Sequence, residues 1–181
     1  YEVDKDVAAN TRAALDVFRS LGATVEEVDL GWTIEVQKAA VAHLDHLFGA
    51  SIAKALKKHS KLLTPYAREF AKTGAKSTPA KFLHAMEVAA QTYMPLGAAL
   101  EKYDVLICPT TALPAVRADF DPSAHEVRVN GKKLKHSPVI AWCMTPPFNM
   151  LGRCPVLSVP TGRAKNGVPT GMQIVGRTYS D

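Results

Sequence analysis

The spacing of the apolar residues changes at Tyr103, and no other feature constrains the fold as much. Before it the apolar positions recur at helical intervals. After it they gather into short runs closed by proline or glycine. Across residues 7–21, Val7, Ala14, Leu15, Val17, Phe18 and Leu21 follow the spacing of one amphipathic helix, and Gly22 suits a left-handed cap. Residues 23–30 are short, β-branched and partly alternating, which predicts a strand and so an α-to-β step of an α/β sheet. Residues 34–58 return to helical periodicity through Val36, Ala40, Leu44, Leu47, Ile52 and Leu56. Gly49 interrupts this run at a cost of up to about 1 kcal/mol relative to Ala. Thr64-Pro65 and Thr78-Pro79 each set a capping hydroxyl before a proline at the first helical position, predicting helices over 65–72 and 79–102. Pro95 removes a backbone donor inside the second, so a kink or split is expected there.

Val105-Leu-Ile-Cys108, closed by Pro109, reads as a buried strand. Residues 126–134 alternate around Asn130-Gly131, a signal for a hairpin whose turn needs positive φ at both central residues. Residues 155–159 and 171–175 read as two further strands joined by the Gly- and Pro-rich stretch 161–169. The fold class is therefore α/β: one domain with a mixed β-sheet flanked by helices, a helical segment at about 34–102 and a sheet segment at about 103–181. There is no internal repeat.

The 181 residues are 47% hydrophobic and 22% charged, enough for a sizeable core. No apolar run approaches the roughly 18 residues of a membrane helix, and Tyr1-Glu-Val-Asp-Lys-Asp has neither the charge nor the apolar stretch of a secretory signal. Cys108, Cys143 and Cys154 show no Cys-x-x-Cys spacing and lie in apolar or Pro-rich surroundings, as packed thiols of a reducing, cytoplasmic setting do. The net charge of +5 is scattered apart from Lys57-Lys58 with Lys61 and Lys132-Lys133 with Lys135, both read as solvated surface. No nucleic-acid or membrane partner is expected.

Nucleophilic hydrolysis needs an activated hydroxyl or thiol, a base in reach and donors for the oxyanion. The serines here are isolated, none in Gly-x-Ser-x-Gly, and Ser158 reads as a strand residue. Cys108 has no assignable base and reads as a core thiol. His43 and His46 stand three apart without a third metal ligand, so surface histidines are expected rather than a metal site. Glu26-Glu27, Asp119 and Asp121 read as exposed acids. The glycines of 162–176 do not form a dinucleotide loop. The residues alone give an α/β domain with no catalytic residue, metal or cofactor in view.

Two motifs add a resemblance. Tyr103-Asp-Val-Leu-Ile-Cys-Pro-Thr-Thr111 with Pro114-Ala115 resembles the "YD-apolar-PT…PA" element of the amidase-signature family. Thr145-Pro-Pro-Phe-Asn149, Gly152, Pro155, Ser158-Val-Pro160 and Gly162, continuing into Gly167-Val-Pro-Thr-Gly171-Met-Gln173-Ile-Val-Gly176, resembles its "PFN…G-x-P…SVP-x-G…G-x-P-x-G-x-Q-x-x-G" pattern. Gly22-Ala23 and Val25-Glu-Glu-Val28 match a further stretch, while the similarity is weak between Trp32 and Lys102. Physically, Pro109, Pro155 and Pro160 would end strands, and Gly162 and Gly171 would suit tight turns.

The resemblance implies hydrolysis of a small carboxamide through a serine acyl-enzyme, without metal or organic cofactor. Its serine nucleophile, second serine and lysine base belong to a Gly/Ser-rich region that no residue of this sequence matches. The chain is then expected to be the C-terminal portion of such an enzyme, truncated at both ends and inactive alone. It would supply one wall of the substrate pocket, with Cys108, Thr110, Trp142, Phe148 and Asn149 as lining candidates. The catalytic part of the same polypeptide would be its partner, and a homodimer is possible. Glutamine-using relatives keep an aspartate seven residues before the motif asparagine, where this chain has Trp142. That favours an apolar or aryl amide over an amino-bearing one, unless Trp142 is simply core. Two other readings stay open: a glutamine-hydrolysing subunit of a tRNA-dependent amidotransferase, and a non-catalytic binding or regulatory module.

Overall fold

The computed structural model describes residues 2–134 and 140–180. Helix α1 (Lys5–Ser20) starts at Asp4, whose carboxylate accepts the Asp6 amide, and stops before Gly22, which takes φ +90°. Residues 23–30 run to α2 without pairing to any strand among the described residues, so the expected strand is not formed. The segment is exposed at Thr24, Glu26, Glu27 and Asp29, and β-branched residues favour a strand only where an edge pairs with them. Helix α2 (Ile34–Leu44) passes through one π-helical turn, Asp45–Gly49, into α3 (Ala50–His59). Gly49 thus marks the irregularity expected of it, as a wide turn rather than a break.

Helices α4 (Pro65–Gly74) and α5 (Pro79–Lys102) are capped by the Thr64 and Thr78 hydroxyls, each accepting an amide of the first turn. Each cap is worth about 1 kcal/mol. Helix α5 is continuous through Pro95, so of the kink or split expected there the split does not occur. Its inner face presents Ala85, Ala89, Leu96 and Leu100 to Val36, Ala39 and Ala40 of α2, so small side chains let the two helices lie close.

Strands β1 (Val105–Pro109), β4 (Val156–Arg163) and β5 (Pro169–Gly176) form a sheet in the order β1-β5-β4, while β2 (Arg128–Val129) and β3 (Lys132–Lys133) form a separate hairpin. Among the described residues both sheets are antiparallel throughout, not mixed. The hairpin turn has φ +49° at Asn130 and +80° at Gly131, as the sequence requires. Strand β4 runs past Pro160 to Arg163 after a register shift, so this proline lies within an edge strand at a bulge rather than at a strand end. The link between β4 and β5 is correspondingly shorter than 161–169.

Antiparallel register places cross-strand partners on one face. Leu106, Cys108, Gln173 and Val175 share the face covered by α2, α5 and the short helix α6 (Pro146–Leu151). Helix α1 covers the other face, where the Asn10 amide donates to Thr170 at 2.9 Å. A smaller cluster of Leu113, Val127 and Val129 lies under the hairpin. No helix among the described residues is long and apolar enough to cross a membrane.

Candidate functional site

The chain leaves β1 at Pro109 and is met at once by the segment that leads into α6. The Met144 amide donates to the Thr110 carbonyl at 3.1 Å and the Ala112 amide to the Trp142 carbonyl at 2.7 Å, with Thr111 and Cys143 bridged between them. These two strips, with Cys108 just before one and α6 just after the other, carry the five expected lining residues. They lie at one end of the face that bears Cys108 and Gln173.

Gln173 holds the strips from below. It sits in the central strand with Cys108 and Ser158 as its cross-strand partners, and is 1% exposed. Its side-chain nitrogen donates to the Pro109 carbonyl at 3.1 Å and the Met144 carbonyl at 3.3 Å, and lies 3.5 Å from Cys108 Sγ. Two carbonyl acceptors fix the amide's orientation, because only its nitrogen end can satisfy them. The neighbouring Gly171 has a related purpose. The Thr110 and Ser158 hydroxyls meet across the central strand at 2.9 Å, and a Cβ on Gly171 would come within 3.4 Å of Thr110 Oγ1 and 3.2 Å of the Val159 carbonyl. Gly171 is thus a strand glycine that clears a close approach, not a turn glycine. Gly162, at φ +146°, lies in the β4 bulge beneath the Asn10 amide.

The expected lining residues divide into groups. Cys108 packs against the main core and burial pushes its thiol up to about 12; Cys143 is likewise pushed up to about 11. Neither is a ready nucleophile. Thr110 is half-buried and paired with exposed Ser158. Phe148 is buried, its ring 5.6 Å from that of Trp32, whereas Asn149 on the next position of α6 is exposed. Trp142 is set apart from Phe148: its ring packs on the hairpin cluster, and its buried indole nitrogen has no partner among the described residues.

Sequence reasoning misses two features of this site. Gln173 is visible as part of a motif, and its signal is a polar residue in the middle of Gly-Met-Gln-Ile-Val, a run otherwise fit for burial. The hydroxyl pair is not visible, because Thr110 and Ser158 are joined only through register.

His43 and His46 are not surface residues as expected. Both are half-buried, with rings 5.5 Å and 4.4 Å from Phe82, and burial with the neighbouring His46 lowers the His43 pKa. His46 Nδ1 bonds the Ser77 hydroxyl at 3.0 Å. Of the acids, Glu26, Glu27 and Asp119 are exposed as expected and Asp121 is half-buried. Not all are without partners: Glu26 is held by Tyr103 and Lys102, and Arg117 keeps the Asp119 carboxyl down at about 2. Lys132 and Lys133 are exposed and paired with Glu2 and Glu126, while Lys135 lies outside the described residues.

The chain is similar to known proteins in sequence and in fold. The chain is similar to an amidase of Pseudomonas putida, 26% identical over 166 residues, which cover 92% of this chain and 34% of that protein. It is also similar to a glutamyl-tRNA(Gln) amidotransferase subunit of Myxococcus xanthus (strain DK1622), 28% identical over 206 residues, covering 99% of this chain and 40% of the relative. Among solved structures, a bacterial aryl acylamidase of the amidase signature enzymes superposes with a TM-score of 0.78 at 26% identity, over 98% of this chain and 38% of that one. The chain thus spans well under half the length of these relatives. The family model described as Amidase matches residues 1–181. With the motifs at the ends of β1 and β4 and around β5 carrying the geometry just described, the chain belongs to the Amidase family.

Proposed function

We propose that this chain is the C-terminal, pocket-contributing part of an amide hydrolase that acts on a small apolar or aryl carboxamide through a serine acyl-enzyme. The observation that carries the reading is the pair of strips at 108–112 and 142–149, pinned to each other and to Gln173, which gives one wall with no activated nucleophile among the described residues of those strips. Ser158 is bonded to Thr110 and not to a base, and the Cys108 and Cys143 thiols are held protonated by burial. On this reading the nucleophile and base come from the rest of the polypeptide, and the chain alone does not turn over amides.

Cys108, Thr110, Trp142, Phe148 and Asn149 are the wall residues, with Thr110 and Asn149 offering polar groups and Phe148 backing them. Trp142 bounds the wall on the hairpin side. An aromatic ring cannot hold an ammonium group as a carboxylate does, which supports an uncharged acyl group over glutamine. The aryl acylamidase neighbour agrees with this choice. The relatives named as amidotransferase subunits keep the glutamine-hydrolysing reading as the second one.

Steady-state kinetics of the full-length polypeptide on aryl amides and on glutamine distinguish the two. Aryl amides should be the better substrates, and Trp142→Asp should lower their kcat/KM by about 1–3 kcal/mol of transition-state binding while the protein stays folded. Preference for glutamine in the unsubstituted enzyme would overturn the assignment.

A further inference from the structure

We infer that Gln173 is a positioning residue that sets the separation of the two wall strips and through it the affinity for substrate. The inference rests on the pocket reading above, but its physical basis is independent of which amide is cleaved. The Gln173 nitrogen joins Pro109, the last residue of β1, to Met144, the residue before the α6 cap, across 34 intervening positions of chain. The direct bonds between the strips run from Thr110 to Met144 and from Ala112 to Trp142. They fix the strips to each other, and the first strip is also bonded to the sheet, where the Thr110 amide donates to the Gly171 carbonyl at 3.0 Å and the Thr110 hydroxyl meets that of Ser158. Gln173 ties the second strip to the sheet through Met144, since its own backbone is bonded into the central strand between Cys108 and Ser158. A buried amide serving two carbonyls has no water to replace it. Losing it removes the donor from both carbonyls and leaves the second strip held to the sheet only through the first.

Packing alone does not account for the residue. Apolar neighbours, Val175 of the same face and Leu106 opposite it, fill the core without a polar group, and a methionine would fill the volume of Gln173. What methionine cannot do is donate.

The test uses the full-length polypeptide with Gln173→Met, which keeps the length, and Gln173→Asn, which keeps the amide but is one methylene short of spanning both carbonyls. The first readout is the rate at which N-ethylmaleimide alkylates Cys108, followed by peptide mass spectrometry, because the Cys108 thiol lies directly against the Gln173 nitrogen. The second is kcat and KM for an aryl amide, measured beside thermal unfolding. Gln173→Met should speed Cys108 alkylation about tenfold and raise KM about five- to tenfold with kcat within about twofold, the scale of one lost buried hydrogen bond or slightly more. Gln173→Asn should fall between Met and the unsubstituted protein on both readouts.

Should Gln173→Met fail to fold, the graded Asn variant carries the same test. A folded variant with unchanged alkylation and unchanged KM overturns the inference. So does a kcat that falls with the folded fraction at constant KM, the mark of a merely structural residue. Faster alkylation in a protein that hydrolyses glutamine and no aryl amide would uphold the clamp and defeat the substrate reading.

Discussion

The helical segment and the sheet segment solve the same packing problem by opposite means. Between Ile34 and Lys102 the elements approach through residues that have little or no side chain: Ala39, Ala40, Ala85 and Ala89 between α2 and α5, and Gly49 against Gly74 where the π-helical turn meets α4. A Cβ on Gly74 would stand 2.2 Å from the carbonyl carbon of Gly49. In the sheet segment the backbone is held by polar side chains instead, Gln173 on two carbonyls and Asn130 on the N-terminal strap through Val3 and Lys5. Close approach of backbones admits no added atom, whereas a directed hydrogen bond admits no loss of the donor.

The contrast can be broken most forcefully at Gly74. Gly74→Ala places a methyl inside backbone and should destabilise the folded chain by about 3 kcal/mol, the upper end for overpacking. Gly97→Ala in α5, where the added atom meets only the movable Tyr93 ring at 3.3 Å, should change stability by less than about 1 kcal/mol. Equal losses in denaturant titrations would mean that the helices do not rely on the glycine contact.

In the sheet segment Asn130→Ala should cost about 1–2 kcal/mol, from a left-handed residue without a compensating side chain. Its amide bonds to the strap are lost as well. Asn130→Gly keeps the turn but not the strap, so it separates the two contributions, and a Gly variant as damaged as Ala would assign the loss to the strap alone.

The smallest effect is a pH dependence confined to the helical segment. Burial lowers the His43 pKa below 6.5, so the folded state favours the neutral ring while the unfolded chain binds the proton more readily. Stability from this group is complete above the unfolded pKa and is lost as pH falls through 6.5 toward the lower folded value. Thermal unfolding between pH 7.5 and 5.5 should show a decline that His43→Phe removes, and a decline unaltered by that substitution would place its origin elsewhere.

Much of this architecture is legible from local signals. The caps at Thr64 and Thr78, the Asn130-Gly131 turn and the apolar run before Pro109 each declare themselves within a few residues, because the physics that shapes them is local. Residues 23–30 mislead for the converse reason. Their β-branched pattern describes what a strand would need, but a strand exists only where an edge receives it, and pairing is not written in the segment itself. The site follows the same division. Phe148 and Asn149 are legible through their motif, yet one is buried and the other exposed because they occupy adjacent positions on a short helix. The Thr110 and Ser158 contact depends on the register of three strands and on Gly171 between them, and no linear spacing reports it. His43 and His46 look like surface residues until Phe82, contributed by α5, stacks against both.

The central claim is that these residues form a wall and that the nucleophile lies elsewhere in the polypeptide. Labelling the full-length protein with an active-site-directed fluorophosphonate, followed by peptide mapping, tests it directly. The account predicts a single serine adduct on a peptide outside residues 1–181, formed at the same rate in a Ser158→Ala variant. An adduct on Ser158, or on any serine within these residues, would contradict it.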